Sequence, residues 1–429
     1  MKDYSGEFRP DLKLTDFEHG LLAQYGREIM LANHIHDRSA LIAIALTYGQ
    51  QAQTDVAVDE WMASSPVYNQ RIRKLLKISG DDVSVALKSL QLDIGAPHNF
   101  LQFQYELESP ELGYFWTKNC GPYEHVRKLS NSDPVLETQI CHHMEDTTFD
   151  ATVTAVNPRM RCTPIHRPPH IEVPNKGPCK WQVSIQREIG LVEDNDYLES
   201  VSHCLAAEFE FESVAKGDIG LENYSGEFKP DFRLDDLSHS MLATSCKEFM
   251  LDVHLLNRAC YTSIADRWGE EVAVRLEIDQ WHSAAAITVH RLRKTFNIIG
   301  EDMSAILKVL QLNPFLPWDY LDMEYELLSE TQARVWLRDC AALRESLPRG
   351  IVSLLTHHPE SPGFGAMAAA VNPYAQISLA DHSSIEGARA LWDITIDPES
   401  EAAKPSDYDG LIAAADLLNL DNSTHRYSY

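Results

Sequence analysis

From Leu14 to Leu92 the apolar positions recur at helical spacing. Phe17, Leu21, Leu22, Tyr25, Ile29 and Met30 form one stripe, and Thr15 and Glu18 read as a capping box ahead of it. This predicts a first helix over "LTDFEHGLLAQYGREIMLANHI". A second is predicted over "SALIAIALTYG", ending at Gly49, and a third over "VYNQRIRKLLKISG", ending at Gly80. A fourth covers "DDVSVALKSLQL". The period then falls to two. "FLQFQYELES" and "LGYFWTKNC" alternate as strands of a hairpin that turns near Ser109 to Glu111. A helix from about Cys141 to Val156, ended by "NP", and strands at "MRCTPIH" and "CKWQVSIQ" complete the series. The expected fold class is α+β: about four helices, then β-β-α-β-β with a small antiparallel sheet.

The whole pattern is written twice. "YSGEFRPD" at Tyr4 returns as "YSGEFKPD" at Tyr224, and Tyr4 to Cys120 aligns without a gap on Tyr224 to Cys340. "HHMEDTTFDATVTAVNP" then lies on "HHPESPGFGAMAAAVNP", and "KWQVSI" on "LWDITI". The period is far too long for a solenoid and marks a tandem duplication. The expected organisation is a first repeat over 1–193, a linker over 194–222 and a second repeat over 223–398. A tail over 399–429 follows, with a short helix at "GLIAAADLLNL". Two copies of one domain are expected to pack against each other about a pseudo-two-fold axis.

Composition narrows the class. The chain has 429 residues, 44% hydrophobic and 24% charged, as in ordinary globular proteins. Its net charge of −27 excludes nucleic acid and anionic membrane surfaces as expected partners, since both need surplus Lys and Arg. No apolar run follows the start and none has spanning length, so neither a signal peptide nor a membrane helix is expected. The eight Cys are scattered without a small-domain disulfide pattern, which points to a reducing, cytoplasmic setting.

Those Cys are the first candidate chemistry. Cys120, Cys141 and Cys179 fall at a strand end, a helix start and a strand start; the second repeat reads Cys340, Thr356 and Ala390. "CTPIHRPPHIEVPNKGPC" adds Cys162, His166 and His170. Thiolates with imidazoles are the donor set of zinc, so Cys120, Cys141, Cys179 and His166 are the candidate ligands of a divalent metal. No C-x-x-C pair occurs, and free Cys are often simply small buried hydrophobes. A thiol at a helix start has a lowered pKa, which makes Cys141 a candidate nucleophile. Glu145 and His142 are candidate proton carriers beside it, with His143 adjacent. The plainer alternative leaves Glu145 exposed on a first turn and one His structural, because the pair survives as His357 and His358.

A second candidate is "NHIHDRS". His34 and Asp37 share a helix face, and the second repeat keeps His254 but replaces His36 and Asp37 by Leu256 and Asn257. A polar group satisfied within a helix layer is the simpler reading of both. Arg71 and Arg73, repeated as Arg291 and Arg293, are expected on a solvated helix face.

These motifs resemble a family of bacterial and archaeal proteins similar to the L-2-amino-thiazoline-4-carboxylic acid hydrolases, whose members usually carry one such domain. The resemblance rests on "YSGEFRPD" and "YSGEFKPD", "RWGEEVA", "EIDQW", "LQLD", "FQYE", Cys120, "ICHH", "VNP", "TPIHRPP" and "CKWQV". It covers both repeats. It implies functional positions at Cys120, Cys141, Glu145 and Cys179; the second repeat departs at two of the three Cys, and His142 and His143 depart from the family pattern.

The expected function is a small-molecule enzyme with its site in the first repeat. It would be a metal-assisted or thiol-dependent hydrolase, or a lyase, acting at a C–N bond of a small polar or heterocyclic compound. The alternative is a small-molecule or metal-binding sensor pair without turnover. The expected partners are the small molecule and the other repeat, with self-association of the chain left open.

Overall fold

The computed structural model describes residues 1–130, 134–169, 177–188, 190–192, 194–212, 218–345, 347, 349–360 and 362–404. His170 and the helix expected at "GLIAAADLLNL" lie outside the described residues. A 3-10 turn, Leu14–Asp16, leads into α1 (His19–Tyr48), α2 (Gln50–Leu75) and α3 (Val83–Leu92). The hairpin β1 (Leu101–Ser109) and β2 (Leu112–Cys120) follows. Next come α4 (Gly121–Ser130), α5 (Pro134–Thr138), a π-helical segment (Gln139–Met144) and α6 (Glu145–Thr154). The strands β3 (Met160–His166) and β4 (Lys180–Ile185) close an antiparallel sheet of order β1-β2-β4-β3. Two short helices, α7 (Leu198–Ser202) and α8 (Leu205–Glu208), occupy the expected linker.

The second repeat has α9 (His239–Trp268), α10 (Glu270–Phe296), α11 (Met303–Gln311), β5 (Met323–Ser329) and β6 (Gln332–Arg338). After these come α12 (Ile351–His357), α13 (Phe364–Val371), β7 (Ala375–Leu379) and β8 (Ala388–Ile396), in a sheet of order β5-β6-β8-β7. The protein is thus mixed α+β, with two separate four-stranded antiparallel sheets.

The expected elements need four corrections. The first and second predicted helices are one, because the polar run from Asn33 to Ser39 that broke the apolar pattern is buried within α1. The real break is Gly49, whose φ of 92° few other residues adopt, and Gly269 repeats it at 90°. The third predicted helix begins much earlier, at Gln50, and carries Pro66 inside it. The hairpins are separated by several helices where one was expected. The Thr15 capping box is also absent: Lys13 N–H donates to Asp16 Oδ2 at 3.1 Å, and α1 starts after Glu18.

The helical layers of the two repeats are not separate. α1 packs on α9 and α10 and α2 packs on α9, as extensively as α1 packs on α2. This explains why α1 is buried on nearly all sides. Arg71 forks onto Glu248 at 2.5 and 3.1 Å, and Arg291 forks onto Glu28 at 2.7 and 3.0 Å. These are reciprocal pairs at equivalent positions, so the expectation of a solvated face for Arg71 and Arg291 is overturned. The core runs continuously through both repeats. Each sheet faces helices on one side; Gly113 lets α3 approach, since a Cβ there would lie 2.9 Å from Val83.

Candidate functional site

A cavity of about 270 Å³ lies between α1, α2, α6 and the sheet of the first repeat. Its wall is mostly apolar, with Trp61, Phe103 and Phe149 among the lining residues. Into it come Asp37 and Arg38 from α1, Asp93 from the loop after α3, Thr117 and Cys120 from β2, Glu145 from α6, and Cys179.

The three thiols and Glu145 meet electrostatically. Burial pushes Cys120, Cys141 and Cys179 up, and the Glu145 carboxyl raises each of them further. Cys179 also receives or gives a hydrogen bond with Thr117 Oγ1 at 3.3 Å. Cys120 and Cys179 line the cavity, whereas Cys141 is buried outside the lining. The expectation of Cys141 at a helix start is not met. It sits inside the π-helical segment, which α5 enters without a break, so no free helix N-terminus faces its sulfur. With the dipole term removed and burial added, the thiol is held protonated. Glu145 is half-buried and lines the cavity, where burial raises it to about 8 against the opposing pull of Arg167. Arg167 braces this wall by pairing with Asp146 and donating to the Cys141 carbonyl at 3.1 Å.

The other predicted groups separate from this cluster. His142 Nε2 bonds the Pro168 carbonyl at 2.7 Å, and His143 is exposed. His166 Nε2 is 3.4 Å from the Gly177 carbonyl and is not among the groups acting on the thiols. Cys162 Sγ contacts the Phe149 carbonyl, and its electrical neighbours are Asp150 and Asp146. The thiols and the carboxyl are donor types that suit zinc. Among the described residues, however, no three His, Cys, Asp or Glu side chains are gathered closely enough to hold a metal ion.

"NHIHDRS" divides its residues between two places. His34 Nε2 bonds the Gly95 carbonyl at 2.9 Å, and burial lowers it to about 3, so it is neutral. His36 faces the second repeat, stacked on Phe315 at 4.2 Å. Asp37 meets Glu60 of α2. Asp93 is fixed by Tyr68, Asn69, Thr152 and the Gly95 N–H.

Arg38 was not singled out from the sequence. Burial lowers it to about 10, so it remains a cation at neutral pH. Its guanidinium lies 5.4 Å from the Phe100 ring, and among the described residues no hydrogen bond or ion pair holds it. The equivalent Arg258 is occupied: it donates to the Leu347 carbonyl at 2.6 Å and lies 3.8 Å from Glu345. A signal was present, since an Arg in the middle of a buried helix needs an anion.

The second repeat lacks the same cavity lining. Gly95 and Thr117 correspond to Phe315 and Leu337, both fully buried, and half-buried Trp61 corresponds to fully buried Trp281. No protein-family model, curated protein or solved structure matches the chain.

Proposed function

We propose that the chain is a small-molecule hydrolase whose active site is the cavity of the first repeat. The substrate is a small polar or heterocyclic compound with an anionic group, cleaved at a C–N bond. The observation that carries this reading is Arg38, which no hydrogen bond or ion pair holds among the described residues, in a mostly apolar cavity, set against Arg258, which lies 3.8 Å from the Glu345 carboxylate. A half-buried guanidinium whose donors are unused is a ready partner for an anionic group.

Arg38 takes the anionic group and fixes the substrate's orientation. The apolar wall excludes bulk water and strengthens each polar contact. Glu145 keeps its proton up to about pH 8 and can pass it to the departing nitrogen. Water adds to the carbon, so the products together gain one water. The buried thiols Cys120 and Cys179 shape the wall in protonated form; a divalent metal such as zinc enters only if they give up those protons. The same residues in a lyase would expel the nitrogen without adding water.

A sensor without turnover is the second reading. It is favoured by the apolar lining and by thiols held in their unreactive state. Elemental analysis of the purified chain, then mass spectrometry of pooled small carboxylates and heterocycles incubated with it, separates the readings. Conversion with a gain of water's mass, lost at least tenfold in kcat/KM in Arg38→Gln, is the expected result. Binding that depends on Arg38 without conversion supports the sensor; conversion indifferent to Arg38 overturns the site.

A further inference from the structure

The cavity has a second acidic feature that Glu145 and the thiols do not explain. Asp37 and Glu60 are 9% and 2% exposed, and Asp37 lines the cavity beside Arg38. Each carboxyl acts on the other, so the two side chains face one another across α1 and α2. Asp37 Oδ1 and Glu60 Oε2 are buried, and no N–H or hydroxyl of the described residues donates to either. Two carboxylate oxygens can hydrogen-bond only through a proton placed between them. The equivalent positions in the second repeat are Asn257 and Gln280, and there Asn257 Nδ2 donates to Gln280 Oε1 at 3.0 Å. The pairing of these two positions recurs in both repeats. Only the first has an ionisable proton in it.

Resting on the enzyme reading above, we propose that Asp37 and Glu60 form a proton-sharing pair that serves as the second acid–base group of the cavity. Asp37 is the member that meets the substrate, and Glu60 is a positioning residue that acts through it. In hydrolysis, Asp37 as carboxylate accepts a proton from the attacking water while the water oxygen bonds to carbon. The C–N bond then breaks as nitrogen takes the proton of Glu145. Proton exchange with solvent moves one proton from the pair back to Glu145, so one water is consumed and both groups are restored. Arg38 stabilises the ionised form of Asp37.

The surroundings suit a single shared proton. Burial raises Asp37 to about 6, with Glu60 and Arg38 opposing it, and pushes Glu60 well up, helped by the Asp37 charge. The groups facing the pair are Arg38 on the same helix and Cys260 and Tyr261 of α9, with Asp59 and Glu277 further out. Of these Arg38 alone is cationic, so two negative charges on the pair are disfavoured.

The test uses the full chain as wild type, Asp37→Asn, Glu60→Gln and the double variant that copies the amide pair of the second repeat. Infrared difference spectra, wild type minus double variant, are recorded from about pH 5 to pH 8. The expected result at neutral pH is one protonated carboxyl and one carboxylate lost together, with melting temperature unchanged. Two ionised carboxylates in that difference overturn the proposal. On any substrate found by the pool screen, Asp37→Asn is expected to lower kcat by about a hundredfold or more with little change in KM. Glu60→Gln should shift the pH–rate profile, which a purely structural residue would not do. Wild-type rates in both variants overturn the role. A shared proton with no substrate turned over defeats the enzyme reading instead, and with it the pair's part in catalysis.

Discussion

At the scale of single residues, Glu145 gives a test that needs no substrate. Its ordinary pKa is 4.5, and burial raises it to about 8 in the folded chain. Below about 4.5 both states hold the proton, so nothing is lost on folding. Between about 4.5 and 8 the unfolded chain releases a proton that the folded chain keeps, so stability falls as pH rises and levels off above about 8. Glu145→Gln is neutral at every pH. Its melting temperature relative to wild type is expected to climb between about pH 5 and pH 8.5; parallel profiles would show that Glu145 is already ionised. In turnover, loss of the proton donor should also lower the rate above about pH 8. The sequence reading identified Glu145, Cys120 and Cys179 through their positions in the motifs, and the fold brings them to one wall. It misjudged Cys141 because a π-helical join between α5 and α6 leaves no sequence signature that separates it from a helix start. Arg38 was missed because it occurs in both repeats, and only its pairing differs between them.

At the scale of elements, strands and α3 were legible because local alternation and capping agree with the tertiary packing. β3 matches the predicted "MRCTPIH" residue for residue. The long helices were less legible. Sequence periodicity assumes one buried face, and α1 has neighbours around most of its circumference. The same blindness put Arg71 on a solvated face. Its side chain and that of Glu248 are 9% and 4% exposed, so the pair is a buried fork between repeats. Arg71→Met leaves a buried carboxylate without its partner and is expected to cost about 3–5 kcal/mol of stability. A matched apolar pair, Arg71→Met with Glu248→Leu, should recover most of that loss. Denaturant unfolding of the three chains measures it. A single variant as stable as wild type would mean that water or another group already neutralises Glu248.

At the scale of the whole molecule, the duplicated opening phrase holds the two repeats together. Tyr4 N–H donates to the Phe296 carbonyl at 2.7 Å and its hydroxyl to Gln311 at 2.9 Å; Tyr224 does the same with Leu76 and Gln91, at 2.8 and 3.0 Å. Lys308 caps the Tyr4 ring at 5.1 Å and Lys88 caps the Tyr224 ring at 4.7 Å, each bonding backbone carbonyls of the same phrase. Every such contact runs from one repeat to the other, and every one has its mirror. It follows that the first repeat alone contains both halves of each contact: Tyr4 on one side and, on the other, Leu76, Lys88 and Gln91, which receive the equivalent Tyr224, together with Glu28 and Arg71. A fragment ending near residue 212 should therefore not be stable as a monomer, because it would expose the core residues of α1 and α2 that α9 and α10 cover and leave Glu28 and Arg71 without their partners. It is expected to pair with a second copy of itself in the same arrangement. Light scattering after size-exclusion chromatography should give twice the fragment mass, and Arg71→Glu should abolish pairing by setting two carboxylates against each other across each contact. A folded monomeric fragment would show that the clasp is dispensable. A dimer indifferent to Arg71→Glu would show that the copies meet through some other face.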